Sequence, residues 1–317
     1  MSVTRILTRP LRVVRARTRT ALDRRRHHAE IARGASLPAR ADRTPIFILG
    51  APRSGTTLLY QLVVEGLEVG WLANAHLERP GGVSELERTD RPRAARTPST
   101  WTSTYGATRE PWEPNEAGEF WYRFVPRMPH ELNGADATDV RTSAIRAAVR
   151  EFADACAAPL VFKNVYNSLR VPVLAAALPE ARFLVIERDL EDNARSILVG
   201  RERNGGLDSW LSARPAGAEA LDSANPAEQA VWQVRRINEV ARRELGTLDP
   251  ARSMTATYDD LCAEPATVLD RVSAWLAESG ADVTRRADAQ LPDHFDRTGG
   301  GVLDPALEAQ LQAAVRA

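Results

Sequence analysis

The motif with the clearest chemistry lies at residues 45–59, which read PIFILGAPRSGTTLL. A short apolar run ends at Gly50, and a loop containing Gly55 leads into a segment whose apolar face begins at Leu58 and Leu59. This strand–loop–helix pattern is typical of a P-loop, in which backbone N–H groups at a helix N-terminus bind phosphate. The alternative is a plain N-capped turn. The two glycines and the preceding apolar run favour the phosphate loop.

The cation of this loop lies in an unusual place. Thr56 occupies the position of the P-loop lysine, and Arg53 lies within the loop itself. Arg53 can form a bidentate contact with an anion, and Thr56 and Thr57 add hydroxyl donors. We therefore expect the bound phosphates to belong to something other than ATP with magnesium, and we expect no metal.

Two further cations follow predicted strands. Arg188 ends an apolar run, and Ser196 lies in the next predicted helix, so the pair can clamp a second phosphate. Lys163 follows the run from Leu160 and is the only lysine among 42 basic residues. A lysine there can donate to charge that develops on a transferred group. The plainer alternatives are a common strand-end arginine, an exposed helical serine and a surface lysine.

The elements that position these residues alternate along the chain. Strands are predicted at 46–49, 160–162, 183–186 and 254–257, with helical spacing between them. This order predicts an α/β fold of P-loop type, a mostly parallel sheet with helices on both faces. Ligands of such sheets bind beyond the carboxyl ends of the strands, so the three strand-end sites should share one crevice.

Composition limits the class of protein. The chain has 317 residues, 44% of them hydrophobic, and no apolar stretch approaches the roughly 20 residues that span a bilayer. The N-terminus has no signal-peptide core, and Cys156 and Cys262 lack metal spacing. We expect a soluble cytoplasmic protein, with residues 44–317 forming one domain.

Residues 1–43 form a basic N-terminal arm. Their 12 arginines face only three acidic residues, and the apolar side chains have loose helical spacing. Such a helix can lie on an anionic membrane or contact a subunit, and the alternative is a solvated, partly ordered extension. No motif for nucleic-acid binding accompanies it. The apolar residues are Ile6, Leu11, Val14 and Leu22.

Residues 71–135 are predicted to be an irregular, aromatic-rich insert. Its rings line either an acceptor pocket or a separate hydrophobic cluster. They belong to Trp71, Trp101, Tyr105, Trp112, Trp121 and Tyr122.

Together these motifs resemble the sulfotransferase family that uses 3′-phosphoadenosine-5′-phosphosulfate (PAPS). The similarity is greatest to its bacterial and tyrosylprotein-type branch, and it covers residues 45–66 and 160–279. The resemblance implies that Arg188 and Ser196 bind the 3′-phosphate and that Lys163 assists sulfuryl transfer. It also implies that the 5′-phosphosulfate is held by Arg53, Ser54, Gly55, Thr56 and Thr57.

The chain departs from the family pattern in two places. Val165 replaces the usual proline after Lys163 and Asn164, which leaves the donor in place. The family's C-terminal Arg-Lys-Gly element has no clear match, and Arg297 is the candidate substitute near the 3′-phosphate.

The catalytic base is the least defined residue. Relatives have a Glu or His some way beyond the P-loop, where Glu78 and His76 lie in this chain. Glu78 is the preferred candidate, although a carboxylate beside Arg79 is also explained by a surface ion pair. Weaker candidates are His130, Glu113 and Glu116.

The resemblance implies in-line, metal-independent transfer of a sulfuryl group from PAPS to a hydroxyl acceptor, with 3′,5′-ADP as the product. The acceptor is a small molecule, a lipid or a carbohydrate. Two alternatives stay open: a catalytically silent nucleotide-binding or scaffolding relative, and a P-loop kinase.

Overall fold

The computed structural model describes residues 8–93, 98–103 and 106–317, with side chains from residue 21 onward. Ile6 and Tyr105, which the sequence singled out, lie outside the described residues, as do the side chains of Leu11 and Val14.

A single parallel sheet organises the described residues. Its five strands lie in the order β2–β3–β1–β4–β5, and every pairing is parallel. The predicted α/β architecture with a mostly parallel sheet is confirmed. The strands are β1 (Pro45–Leu49), β2 (Gly70–Trp71), β3 (Leu160–Lys163), β4 (Arg182–Glu187) and β5 (Ser253–Thr257).

Eleven α-helices accompany this sheet in the described residues. They are α1 (Thr8–Gly34), α2 (Thr56–Gly66), α3 (Val83–Thr89), α4 (Gly118–Trp121), α5 (Asp139–Cys156), α6 (Val171–Ala177), α7 (Leu190–Arg203), α8 (Pro226–Leu245), α9 (Tyr258–Ala263), α10 (Pro265–Glu278) and α11 (Pro305–Arg316).

Helices cover both faces of the sheet because the side chains of a strand alternate between its faces. On β1, Phe47 packs into a core with α4, α5 and α6. Its neighbour Ile48 packs into a second core with α2 and α10. A third apolar cluster joins α7, α8 and α11 beside the sheet. The central strands β1, β3 and β4 are therefore buried on both sides, which fits their continuous apolar runs.

The register of the strands aligns the ends that matter for function. Ile48 of β1 lies opposite Lys163 of β3, and Leu49 of β1 lies opposite Val185 of β4. Gly50, Lys163 and Arg188 therefore come to the same carboxyl edge of the sheet, as parallel strand order requires.

The second half of α1 packs on the body of the protein. Glu30 is fully buried and accepts hydrogen bonds from Ser84 Oγ (2.6 Å) and Arg123 Nη2 (2.5 Å). Arg33 bonds Glu151 of α5 at 2.6 Å. The division into an arm of residues 1–43 and a domain of residues 44–317 stays a prediction. Among the described helices, none combines the length and apolar character needed to cross a membrane.

Candidate active site

The loop after β1 is closed by a hydroxyl that the sequence did not single out. The Gly50 N–H donates to Ser168 Oγ at 2.9 Å, and that hydroxyl donates back to the Gly50 carbonyl oxygen at 3.0 Å. A Cβ at Gly50 would lie 2.8 Å from the Ile186 carbonyl oxygen and 2.7 Å from Ser54 Oγ. The close approach of β1, β4 and the loop therefore requires glycine at this position.

The N-terminus of α2 opens toward the same edge of the sheet. Gly55 caps it in the left-handed region (φ 97°), and no side-chain cap hydrogen bond is formed there. A Cβ on Gly55 would lie 2.5 Å from the Tyr258 ring. A helix N-terminus without a side-chain cap presents N–H donors and a partial positive charge, which suit an anion.

Arg53 and Arg188 lie together at this loop. Arg53 has a left-handed backbone (φ 67°), and its Nε donates to Ser196 Oγ at 3.2 Å. Arg188 Nη1 donates to the Arg53 carbonyl oxygen at 3.0 Å. The guanidinium of Arg188 stacks 4.4 Å from the centre of the Tyr258 ring. Arg188 thus supports the strained backbone of the loop arginine as well as adding charge.

A cavity of about 620 Å³ lies over these residues. Six of the predicted site residues line it: Arg53, Gly55, Thr56, Thr57, Lys163 and Arg188. Ser54 lies buried beneath the loop, and Ser196 reaches the site through Arg53. The expected common crevice is thus a single cavity.

Lys163 meets a carboxylate from the insert. Lys163 is only 3% exposed, and its Nζ donates to Glu116 Oε1. Asn164 Nδ2 donates to the Glu116 carbonyl oxygen at 3.2 Å, which fixes the backbone of the same residue. Glu116 is 29% exposed and lines the cavity. A buried cation and a carboxylate therefore face the space above Thr57 together.

The preferred base candidates lie elsewhere. His76 is buried, its Nδ1 accepts from the Ala73 N–H at 2.9 Å, and its Nε2 lies 3.3 Å from Glu87 Oε1. Its ring packs edge-on against Trp112 and Phe152. Glu78 is exposed, and neither residue lines the cavity. The distance along the chain placed them near the site, but the short helical turn of Asn74–Glu78 carries them away from it.

The three weaker base candidates differ in whether they line the cavity. His130 accepts from the Arg214 N–H at 2.8 Å, and its pKa is lowered to about 4, chiefly by burial and then by Arg170. Glu113 is buried behind the cavity wall. Glu116 is the member of this group that lines the cavity.

In the C-terminal segment, Thr298 lines the cavity and the predicted residue Arg297 does not. Arg297 forms ion pairs with Asp192 (3.0 Å) and Asp259 (2.6 Å), and those carboxylates raise its pKa. Thr298 lines the cavity instead, and its carbonyl oxygen accepts from Arg188 Nη2. A 3′-phosphate role for Arg297 stays a prediction.

The aromatic rings of the insert lie in two places, and an acceptor pocket among them stays a prediction. Trp101 lines the cavity and contacts Phe295, with ring centres 5.2 Å apart. Trp121 is 1% exposed and belongs to the core around Phe47. Glu116, Ser168 and Thr298 were not prominent in the sequence. Irregular segments carry Glu116 and Thr298 to the site, and a short helical turn after β3 carries Ser168. In the described residues no cluster of His, Cys, Asp and Glu is arranged to hold a metal ion.

Comparisons with known proteins concern the family and the fold of the chain. A family model described as the sulfotransferase family matches residues 45–282. Sulfotransferase STF9 from Mycobacterium avium is structurally similar, with a TM-score of 0.53 and 18% identity over 92% of this chain and 72% of that chain. Sulfotransferase STF1 from Mycobacterium tuberculosis H37Rv gives 0.47 and 14%, over 86% of this chain and 77% of that chain. No curated protein matches the chain.

Proposed function

Because the chain belongs to the sulfotransferase family, we propose that its cavity binds PAPS and that a hydroxyl group of an acceptor receives the sulfuryl group. The observation that carries this proposal is the meeting of the P-loop, Arg188, Lys163 and Glu116 at one cavity. The P-loop and Arg188 suit a donor with separate phosphate groups. Lys163 and Glu116 suit group transfer beside that donor.

The residues present fit an anionic donor. Ser54 Oγ and Arg188 Nε are buried without a hydrogen-bond partner in the described part of the chain, so each has bonding capacity left. The α2 N-terminus and Thr57 complete a cradle for the 5′-phosphosulfate. Arg188 and Ser196, which both contact Arg53, then hold the 3′-phosphate end through charge and hydroxyl contacts.

Glu116 is the base that we propose in place of Glu78 and His76. It lines the cavity and touches Lys163, so an acceptor hydroxyl above Thr57 comes within its reach. A general base must lie within hydrogen-bond distance of the proton that it removes. Neither of the two candidates favoured by sequence has that position.

The chemistry needs one bond to form as another breaks. When bound, PAPS supplies a sulfuryl group whose bond to the bridging oxygen breaks as the bond to the acceptor oxygen forms, leaving 3′,5′-ADP. Glu116 takes the acceptor proton. Lys163 donates to the bridging oxygen as negative charge develops there.

The contact between Lys163 and Glu116 couples these two events. While Glu116 is ionised, its charge holds the Lys163 ammonium. A proton on Glu116 removes that charge, which weakens the ion pair and frees Lys163 to turn toward the bridging oxygen. Arg53 and Lys163 supply positive charge that magnesium supplies in phosphoryl transfer, so we propose that the reaction needs no metal. The acceptor is a small molecule, a lipid or a carbohydrate.

Replacement of Glu116 by Gln tests this function. The amide keeps the shape of the side chain but cannot take the proton, so transfer from PAPS should fall by about 10²–10⁴-fold. Affinity for 3′,5′-ADP should stay unchanged because the donor cradle is intact. The measurement is transfer of labelled sulfuryl group to a panel of hydroxyl acceptors.

Glu78→Gln provides the matched control and should retain wild-type transfer. Full activity of Glu116→Gln, together with loss of activity in Glu78→Gln, would contradict the assignment of the base. A wild-type protein that transfers nothing from PAPS to any acceptor would contradict the proposed function itself.

A further inference from the structure

One wall of the cavity is formed by the insert rather than by the sheet. Residues 99–103 and 106–110 belong to this wall, and Trp101, Thr102, Ser103 and Gly106 line the cavity. We refer to these two stretches as the insert wall. At Gly106 they come close to Thr57 of the P-loop and to Glu116 and Lys163.

Glu113 fastens the insert wall from behind. Its Oε1 accepts from Thr100 Oγ1 (2.5 Å) and from the Thr100 N–H (3.2 Å). Its Oε2 accepts from the N–H groups of Arg109 (3.0 Å) and Glu110 (3.1 Å). One carboxylate, itself only 5% exposed, therefore holds both stretches.

The electrostatics of Glu113 match this role. Burial acts to raise the pKa of its carboxyl, but the hydrogen bonds from Thr100, Glu110 and Arg109 lower it below the ordinary value. Glu113 is therefore ionised at neutral pH, and hydrogen bonds to an ionised acceptor are stronger than neutral ones.

Helix α2 holds the same wall from its other side. Glu65, which is 3% exposed, accepts from the Ser99 N–H at 3.1 Å. Gln61 Nε2 lies 3.5 Å from the Thr102 carbonyl oxygen. Because α2 begins at the P-loop, the insert wall is tied to the helix that presents the donor site.

Gly106 brings the wall to the reacting groups. It has a left-handed backbone (φ 86°), and a Cβ built on it would lie 3.4 Å from Thr57 Oγ1, 3.4 Å from Glu116 Oε1 and 3.5 Å from Lys163 Nζ. A single point is thus nearly equidistant from the hydroxyl, the carboxylate and the ammonium that we assign to the transfer.

We propose that Gly106 sets the size of the transfer centre and that Glu113 is the positioning residue that keeps it closed to water. The proposal rests on the proposed function, since it takes Thr57, Lys163 and Glu116 as the groups around the sulfuryl position. Glycine is required because any side chain at Gly106 would fill the space that the transferred group and the acceptor oxygen must share.

The first test compares two glycine substitutions. Gly106→Ala should lower sulfuryl transfer by about 10²-fold, because displacement of the reacting groups by even a small distance is costly. Affinity for 3′,5′-ADP, which lacks the sulfuryl group, should stay unchanged. Gly206→Ala is the matched control: it has a similar φ of 93° but no atom within 4 Å of its Cβ, so it shares the backbone strain without the crowding.

The second test measures exclusion of water. Glu113→Gln loses at least two of the four accepted hydrogen bonds, so the wall loosens and water reaches the sulfuryl group. The water oxygen then takes that group, and sulfate and 3′,5′-ADP are released. We expect faster hydrolysis of PAPS without acceptor and slower transfer with acceptor. Glu110→Gln, an exposed side chain on the same wall, should change neither rate.

The outcomes distinguish a failure of this inference from a failure of the proposed function. If wild type transfers sulfuryl groups and Gly106→Ala retains that rate, or if Glu113→Gln lowers transfer with no rise in hydrolysis, the inference is wrong while the function stands. If wild type neither binds 3′,5′-ADP nor uses PAPS, both are wrong. Thermal unfolding of each variant identifies a loss of transfer that comes from misfolding. In that case the affinity for 3′,5′-ADP would fall as well.

Discussion

Lys163 and Glu116 are the residues on which the proposed chemistry depends most. The lysine was predictable because it is unique in an arginine-rich chain and follows a strand. Arg53 and Arg188 were predictable for a similar reason, since strand ends and P-loop glycines locate them. Glu116 was only one of three weaker candidates, because its position depends on how an irregular segment reaches the cavity. His76 and Glu78 show the same limit, since distance along the chain does not report which way a side chain is directed.

Lys163→Arg tests the argument from that unique lysine. Lys163 is almost fully buried against Glu116, and the wide guanidinium of Arg cannot act there as a compact donor. We expect transfer to fall by roughly 10–10²-fold with 3′,5′-ADP affinity unchanged. The transfer rate of Lys163→Met, which removes the donor, should fall further. Wild-type rates in Lys163→Arg would show that any cation suffices at this position.

At the scale of elements, the long periodic segments were predictable and the short ones were not. Four of the five described strands were predicted from the sequence, whereas β2 contains only Gly70 and Trp71 and gives no pattern. Helices α5, α7 and α8, which lie between the predicted strands, follow from apolar spacing. The path of the insert depends on buried polar contacts such as those of Glu113, which propensity does not encode.

At the scale of the whole molecule, α1 is joined to the body through a buried polar cluster. Arg123 donates to Glu30 Oε2 at 2.5 Å and to His27 Nδ1 at 2.9 Å, so one guanidinium links α1 with the insert. The pKa of His27 is lowered to about 4, mainly by burial and then by Arg123 and His28. A proton on His27 would oppose this contact.

This cluster predicts that stability falls with acidification. A histidine with a folded-state pKa of about 4 and an ordinary value of 6.5 stabilises the fold fully above pH 6.5. That contribution is lost as pH falls toward 4, because the unfolded chain binds the proton first. His27 is only half-buried, so after solvent screening we expect about 1–2 kcal/mol.

Thermal unfolding as a function of pH measures this contribution. His27→Gln keeps a hydrogen-bond acceptor but cannot titrate, so its melting temperature should fall less than that of wild type between about pH 7 and pH 5. His28→Gln, at the neighbouring exposed position, removes only the smallest of the three causes and should behave nearly as wild type. An equal decrease in His27→Gln and wild type would contradict the role of His27.

The central claim concerns the donor, and calorimetric titration of the wild-type protein tests it most directly. The two ligands are 3′,5′-ADP and ATP with magnesium. The P-loop without its lysine, together with Arg53, Arg188 and Ser196, predicts tight binding of 3′,5′-ADP that needs no metal. It predicts weak binding of ATP with magnesium. Tight, magnesium-dependent binding of ATP with no binding of 3′,5′-ADP would contradict the account.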